Sequence, residues 1–215
     1  MAERTKEQIR KLSARFQLAV TPWDWLRKAR SLRDAFNHLL IHFEEKRLAF
    51  DEKFEREESW DLESPDDSVV MMILGFAIEN LLRGLYVSTL GISKRPQRIK
   101  DLVEKSHELV AIAMKIEAAL RERFSDSEKR LLNDIEQTII WHGRYPSPVH
   151  VDKLVSTSSD GLFATPSFRY PDHHFDACAL YDRLESLLIP RAPFRAKKNL
   201  LGTTYYVGLM PGEPD

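Results

Sequence analysis

An arginine and a histidine stand close together after the helix-like stretch that ends at Gly143. Arg144 and His150 are six positions apart, and Tyr145 follows the arginine directly. A histidine can move a proton near neutral pH, and a guanidinium fork can hold the charge of a phosphorane. Because these two groups suffice for phosphodiester cleavage without a metal, Arg144 and His150 are the candidate catalytic residues.

A second polar group interrupts the most apolar part of the chain, between Val69 and Leu90. Its members are Glu79, Asn80 and Arg83, and Glu79 and Arg83 are one helical turn apart on one face. A charge buried without a partner costs several kcal/mol, so we expect these side chains to meet partners, with His107 as the partner of Glu79. Two interpretations stay open: a structural pair that fixes helix register, or a supporting polar site that also includes His107 and Tyr145.

Two other clusters could bind ligands. His38 and His42 are four apart and can face a metal from one side of a helix, but the sequence shows no third ligand, so we predict no metal site. If a metal is bound there, the corresponding alternative function is a metal-dependent helical hydrolase.

The second cluster consists of four cations without acidic neighbours, Arg191, Arg195, Lys197 and Lys198. They precede Tyr205 and Tyr206, and such a pattern is typical either of a nucleic-acid contact or of a solvated tail.

Composition restricts the function classes. Among 215 residues, Lys and Arg total 32 and Asp and Glu total 33, so the net charge of -1 excludes nucleic-acid binding through bulk charge. The single cysteine, Cys178, excludes an internal disulfide and a cysteine zinc cluster. The eight glycines form no phosphate-binding motif, and we predict no cofactor. Residues 1–11 lack the apolar core of a signal peptide, so we expect a cytoplasmic protein.

Hydrophobic periodicity predicts an all-α fold, an up-and-down bundle of four to five helices with an irregular C-terminal extension. Helix-start signals occur at Thr21-Pro22, Ser64-Pro65 and Ser125. The first opens a helix of about 35 residues, and a short strand is predicted over 203–209. We expect residues 1–150 to form the bundle and residues 151–215 to form a loop, a final helix over 172–188 and a basic extension packed on it.

The apolar segment that begins at Val69 is predicted to be the buried central helix of this bundle. Its uninterrupted apolar stretch is only about ten residues, whereas a membrane span needs roughly twenty. Glu79, Asn80 and Arg83 interrupt it near its middle. We therefore expect no membrane partner.

Three motifs together resemble the HEPN superfamily of small helical bundles. They are Glu79-Asn80-Leu81-Leu82-Arg83-Gly84, His107-Glu108-Leu109 and Trp141-His142-Gly143-Arg144-Tyr145-Pro146. The resemblance covers roughly residues 64–150. Active members of that superfamily are metal-independent endoribonucleases with an R-x(4–6)-H motif, commonly dimeric, with the two motifs meeting across the dimer cleft.

The resemblance implies that Arg144 would bind phosphate and His150 would act as acid or base. It also implies a homodimer, formed in our interpretation through the long helix. Inactive members are interaction or RNA-binding domains of toxin–antitoxin, phage-defence and stress systems. Here Tyr145 replaces the usual polar residue after the arginine, and Pro146 and Pro148 keep Arg144 and His150 off a common helix. We therefore favour an interaction or RNA-associated module, with RNA or a cognate protein as partner, over the ribonuclease.

Overall fold

The protein is an all-α bundle, as the sequence predicts. The computed structural model describes residues 21–56, 66–90, 107–139, 156–157, 163–164, 168, 170–198 and 204–208. Within these ranges there are five α-helices: α1 (Pro22–Glu55), α2 (Ser68–Thr89), α3 (Leu109–Leu120), α4 (Asp126–Gln137) and α5 (His174–Leu188). The short strands are β1 (Ser156–Thr157), β2 (Phe163–Ala164), β3 (Phe194–Lys198) and β4 (Thr204–Gly208), and they pair as β1–β2 and β3–β4.

The long helix α1 begins where the sequence predicts. The Thr21 hydroxyl accepts from the Asp24 amide at 3.3 Å, and the Asp24 carboxylate accepts from the Thr21 amide at 3.0 Å. With Pro22 at the first helical position, this capping box satisfies amides that a helix start otherwise leaves unpaired. The helix spans 34 residues, about 51 Å at 1.5 Å per residue, close to the predicted length.

Helix α2 forms the centre of the bundle and packs against α1, α3 and α5. Gly84 permits the close packing of three helices, because a Cβ there would lie 2.7 Å from Leu188 Cδ2 and 3.0 Å from Trp25 Cβ. By length and composition α2 could cross a membrane, because an 18-residue window of this helix has a mean hydropathy of 1.5. However, 67% of that window is buried within the bundle. Such burial is typical of a core helix.

The connection from α3 to α4 is fixed by side-chain caps. Helix α3 ends at Arg121, whose φ of 59° is in the left-handed region. Helix α4 starts with the predicted capping box, in which the Ser125 hydroxyl accepts from the Glu128 amide and the Glu128 carboxylate accepts from the Ser125 amide. At the other end of α4, Glu136 accepts from the Leu109 amide at 2.9 Å and so caps the start of α3. The two helices therefore hold each other in register.

The final helix α5 belongs to the same hydrophobic core as the rest of the bundle. It runs antiparallel to α1, since Cys178 contacts Arg33 and Glu185 contacts Arg30. Its buried side chains join one continuous cluster with α1 to α4; they are Ala177, Leu180, Tyr181, Leu184 and Leu188. It begins at His174, two residues after the predicted start, and a 3₁₀ turn, Ile189–Arg191, follows it.

The strand predicted over 203–209 is present as β4 and forms a hairpin with β3 that the sequence analysis did not predict. The strands are antiparallel, with Phe194 opposite Gly208 and Lys198 opposite Thr204. The hairpin packs on the start of α1, where the rings of Phe194 and Trp23 are stacked with centroids 4.3 Å apart. The basic segment after α5 is therefore part of the folded structure.

Candidate functional site

The polar group of the central helix is a buried ion pair. Glu79 and Arg83 are 5% and 6% exposed. Arg83 Nε donates to Glu79 Oε1 at 2.8 Å, and Arg83 Nη2 donates to the same oxygen. Because its guanidinium is buried and directed at this carboxylate, Arg83 is not placed to bind a phosphate from solvent.

His107 is the second partner of Glu79, as the sequence predicts. Its Nδ1 lies 3.0 Å from Glu79 Oε2, and only the imidazole can donate in this contact because an ionised carboxylate only accepts. The backbone at His107 has a φ of 74°, which costs a non-glycine residue about 1–3 kcal/mol. The turn before α3 therefore brings the ring onto Glu79 at an energetic cost.

Glu79 is held as a carboxylate. Burial by itself would raise its pKa, but the hydrogen bond from His107 and the positive charge of Arg83 outweigh burial. The net effect is a pKa below the usual value of 4.5. The charge of Arg83 is thus balanced inside the bundle.

This buried network can have a structural role and a chemical role. It can fix the register of α2 against the turn before α3, which is a structural role. It can also hold His107 in one tautomer, with Nδ1 protonated and Nε2 left for proton transfer, since the His107 side chain is 20% exposed. Asn80 does not take part, because its Nδ2 donates to the Phe76 carbonyl at 2.7 Å within its own helix.

The other predicted members of the site lie outside the described residues. These are Arg144, Tyr145 and His150. Of the sequence-predicted polar centre, the described structure thus brings together Glu79, Arg83 and His107.

The histidines of α1 do not form a metal centre with other described residues. His38 Nδ1 lies 2.7 Å from the Asp34 carbonyl, and His42 Nδ1 lies 3.8 Å from Glu45 Oε2. Among the residues that the structure describes, no three His, Cys, Asp or Glu side chains are grouped to hold a metal. Two adjacent histidines at the start of α5, His173 and His174, pack on aromatic rings: His173 stacks on Phe168, and His174 stacks on Phe36.

The predicted cationic cluster divides between two elements. Arg191 lies in the 3₁₀ turn and donates to the Leu187 carbonyl at 2.6 Å. Arg195, Lys197 and Lys198 lie on β3, and Arg195 is exposed. No acidic residue occurs in the sequence between Glu185 and Glu213, so the β3–β4 hairpin carries only positive side-chain charge.

Sequence reasoning missed two aromatic residues beside these cations, Trp23 and Phe194. The Phe194 ring stacks on Trp23, and the Tyr206 ring contacts Phe194 edge-on at a centroid distance of 5.3 Å. Although they contact each other, Phe194 and Tyr206 remain 48% and 57% exposed. The signal that could have found Phe194 is the five-residue run from Phe194 to Lys198, which precedes the predicted strand at hairpin distance. No such local signal exists for Trp23, which lies far away in the chain.

The sole cysteine is not fully buried in the core. Cys178 is partly exposed, and Arg33 Nη1 lies 2.9 Å from its sulfur. The same guanidinium lies over the rings of Phe36 and Tyr181, each 5.2 Å away. Burial and the charge of Arg33 lower the pKa of nearby His174. The contacts of Arg33 with Cys178 and Tyr181 join α1 to α5.

Comparisons with protein-family models, with curated proteins and with solved structures find no match to the chain.

Proposed function

We propose that the protein is a HEPN-like, non-catalytic RNA-associated module that contacts the RNA backbone through the β3–β4 hairpin. The observation that carries this proposal is the purely cationic hairpin on the start of α1. Phosphate neutralisation by Lys and Arg supplies most of the non-specific affinity for nucleic acids. A local cluster can do this although the whole chain has a net charge of -1.

The geometry of α1 supports this location. Arg27 lies one helical turn after Trp23, on the same face of α1 that meets Phe194, and its side chain is 73% exposed. Helix starts also carry a partial positive charge. Arg27 also lies 3.9 Å from Asp24 Oδ1, so the first turns of α1 add a partly neutralised cation beside the cationic hairpin.

The buried centre supports binding over catalysis. Glu79 neutralises Arg83, so the guanidinium that shares this carboxylate with His107 is not available to stabilise a phosphorane. A module that binds RNA without cleaving it needs no such group. Inactive members of the HEPN superfamily, which the sequence resembles, include RNA-binding domains, and this agrees with the interpretation. The resemblance implies a toxin–antitoxin, phage-defence or stress system as the setting.

The proposal is tested by fluorescence anisotropy with a labelled RNA over a series of salt concentrations. Arg195→Gln, Lys197→Gln, Lys198→Gln together should weaken binding at least tenfold. The slope of log affinity against log salt should fall by about two, at about 0.7 per lost phosphate contact.

The matched control removes three positive charges elsewhere. Lys46, Lys53 and Arg130 are exposed residues of α1 and α4, and their replacement by glutamine changes the net charge equally. Equal loss in both triple variants, or no RNA binding by the parent protein, would refute the proposal.

One observation favours a second candidate, metal-independent RNA cleavage with Arg144 and His150. The Glu79 carboxylate orients His107, a member of the supporting polar site, so that this imidazole could assist the proton transfer assigned to His150. Incubation of the RNA with the protein in the presence of EDTA tests this candidate. Cleavage that is lost in an Arg144→Ala, His150→Ala variant would favour the ribonuclease, and intact RNA would favour the module.

A further inference from the structure

The aromatic rings on the β3–β4 hairpin lie beside its cations and are unusually exposed for rings that pack on one another. Tyr206 is 57% exposed and Phe194 is 48% exposed. Among the described residues, Trp23 covers the set from one side, where Phe194 stacks on it. The outer surface of the set is therefore available to a planar group.

The strand register explains why the rings are together. Phe194 and Tyr206 belong to the same face of the antiparallel ladder, because Phe194 pairs with Gly208 and Ala196 pairs with Tyr206. Gly208, opposite Phe194, has no side chain to cover the ring. By register Lys198 shares this face, whereas Arg195 and Lys197 belong to the other face of β3, because successive residues of a strand alternate between faces.

We propose that the Tyr206 ring, held edge-on against Phe194, which itself stacks on Trp23, forms a stacking platform for unpaired bases, so that the hairpin binds single-stranded rather than double-stranded RNA. Stacking needs the face of a base, which is exposed in a single strand and covered in a duplex. Lys198, whose register position is on the same face, would contact a phosphate of the same RNA strand. This inference rests on the proposed RNA association and specifies its ligand class.

Two substitutions at Tyr206 separate ring stacking from other contributions. Tyr206→Leu removes the ring and keeps apolar bulk, whereas Tyr206→Phe keeps the ring and removes only the hydroxyl. Because a base–aromatic stack contributes an amount equivalent to about tenfold in affinity, Tyr206→Leu should weaken single-strand binding about tenfold. Tyr206→Phe should bind like the parent protein. Tyr206 is exposed, so both variants should keep the parent's circular dichroism and melting temperature.

The matched control is Phe54→Leu, which removes an exposed aromatic ring at the far end of α1, where Phe54 is 68% exposed. Its affinity should equal that of the parent. The assay compares a labelled single-stranded RNA with a perfect duplex of the same sequence at one salt concentration. The duplex should bind more weakly.

The outcomes distinguish this inference from the proposed function. If the parent binds RNA but Tyr206→Leu binds as tightly, or the duplex binds as tightly as the single strand, the stacking platform is wrong and the RNA-associated module stands. If the parent binds neither RNA, the proposed function fails and this inference fails with it.

Discussion

At the scale of residues, the carboxylate of Glu79 is held by two partners inside the bundle. It accepts from Arg83 on one oxygen and from His107 on the other. A buried pair of this kind contributes little net stability, because desolvation offsets the attraction. Removal of one partner is costly, since it leaves the other charge buried and unpaired. The network is therefore best tested by breaking it asymmetrically.

We predict that Glu79→Leu lowers the free energy of unfolding at neutral pH by about 3–5 kcal/mol, because Arg83 loses its counter-ion. The double variant Glu79→Leu, Arg83→Met should recover much of this loss. Urea unfolding followed by circular dichroism measures both variants. A single variant as stable as the parent would show that the pair does not hold the fold.

The same variant gives a pH dependence with a defined sign. The folded state lowers the pKa of Glu79 below 4.5, so its ionisation stabilises the fold above that pH. This contribution is lost as the pH falls from 4.5 through the lower folded-state pKa. The stability difference between the parent and Glu79→Leu should therefore narrow over that acidic range.

At the scale of elements, the hairpin depends on one close approach to α1. A Cβ at Gly208 would lie 1.9 Å from Thr21 Oγ1 and 2.8 Å from Trp23 Cβ. Neither atom is the end of a flexible side chain, and Thr21 also caps α1. The absence of a side chain at position 208 is thus what allows β4 to lie on the start of α1.

We predict that Gly208→Ala destabilises the protein by about 1–3 kcal/mol, a typical cost of overpacking, and weakens RNA binding through displacement of the hairpin. Thr204→Ala is the control, because Thr204 is exposed on the same strand. Thermal melting and the anisotropy assay give the two measurements. Gly208→Ala with unchanged stability and affinity would mean that the hairpin does not need this contact.

The elements that the sequence predicts well are those with local causes. The start of α1 and the start of α4 follow from Thr21 and Ser125, whose caps form within three residues. The His107 contact was predictable because a buried Glu79 needs a polar partner.

Long-range features were not predictable in the same way. The hairpin pairs Phe194 with Gly208, and its docking on Trp23 depends on residues far apart in the chain. The cap of α3 comes from Glu136, 27 residues away, so no local signal marks it. Asp67 precedes α2, but its side chain does not cap the helix. Its carboxylate instead accepts from the Tyr170 amide at 2.6 Å, a contact between residues far apart in the chain.

At the scale of the whole molecule, α1 is much longer than its main partner. It has 34 residues against 22 in α2, a difference of 12 residues or about 18 Å. The pair is antiparallel, since Glu44 of α1 and Asp67 at the start of α2 both bond to Tyr170. The last turns of α1 therefore continue beyond the start of α2.

Exposed apolar residues occur along this second half of α1. Ile41 is 62% exposed and Leu48 is 55% exposed, and they lie two helical turns apart on one face. The RNA surface that we propose lies at the opposite end of the same helix, beside Trp23. One helix could thus carry a self-association surface and a nucleic-acid surface without overlap.

We propose that two copies of the chain associate through this half of α1 and predict that Ile41→Glu, Leu48→Glu raises the dimer dissociation constant about 100-fold or more. Burial of two unpaired carboxylates at a helix interface accounts for that loss. Sedimentation velocity over a concentration series measures it, with Met114→Glu as the control because Met114 is 58% exposed on α3. A parent protein that sediments as a monomer throughout would contradict the dimer. Unchanged RNA affinity of the monomeric variant would show that each copy carries its own complete hairpin site.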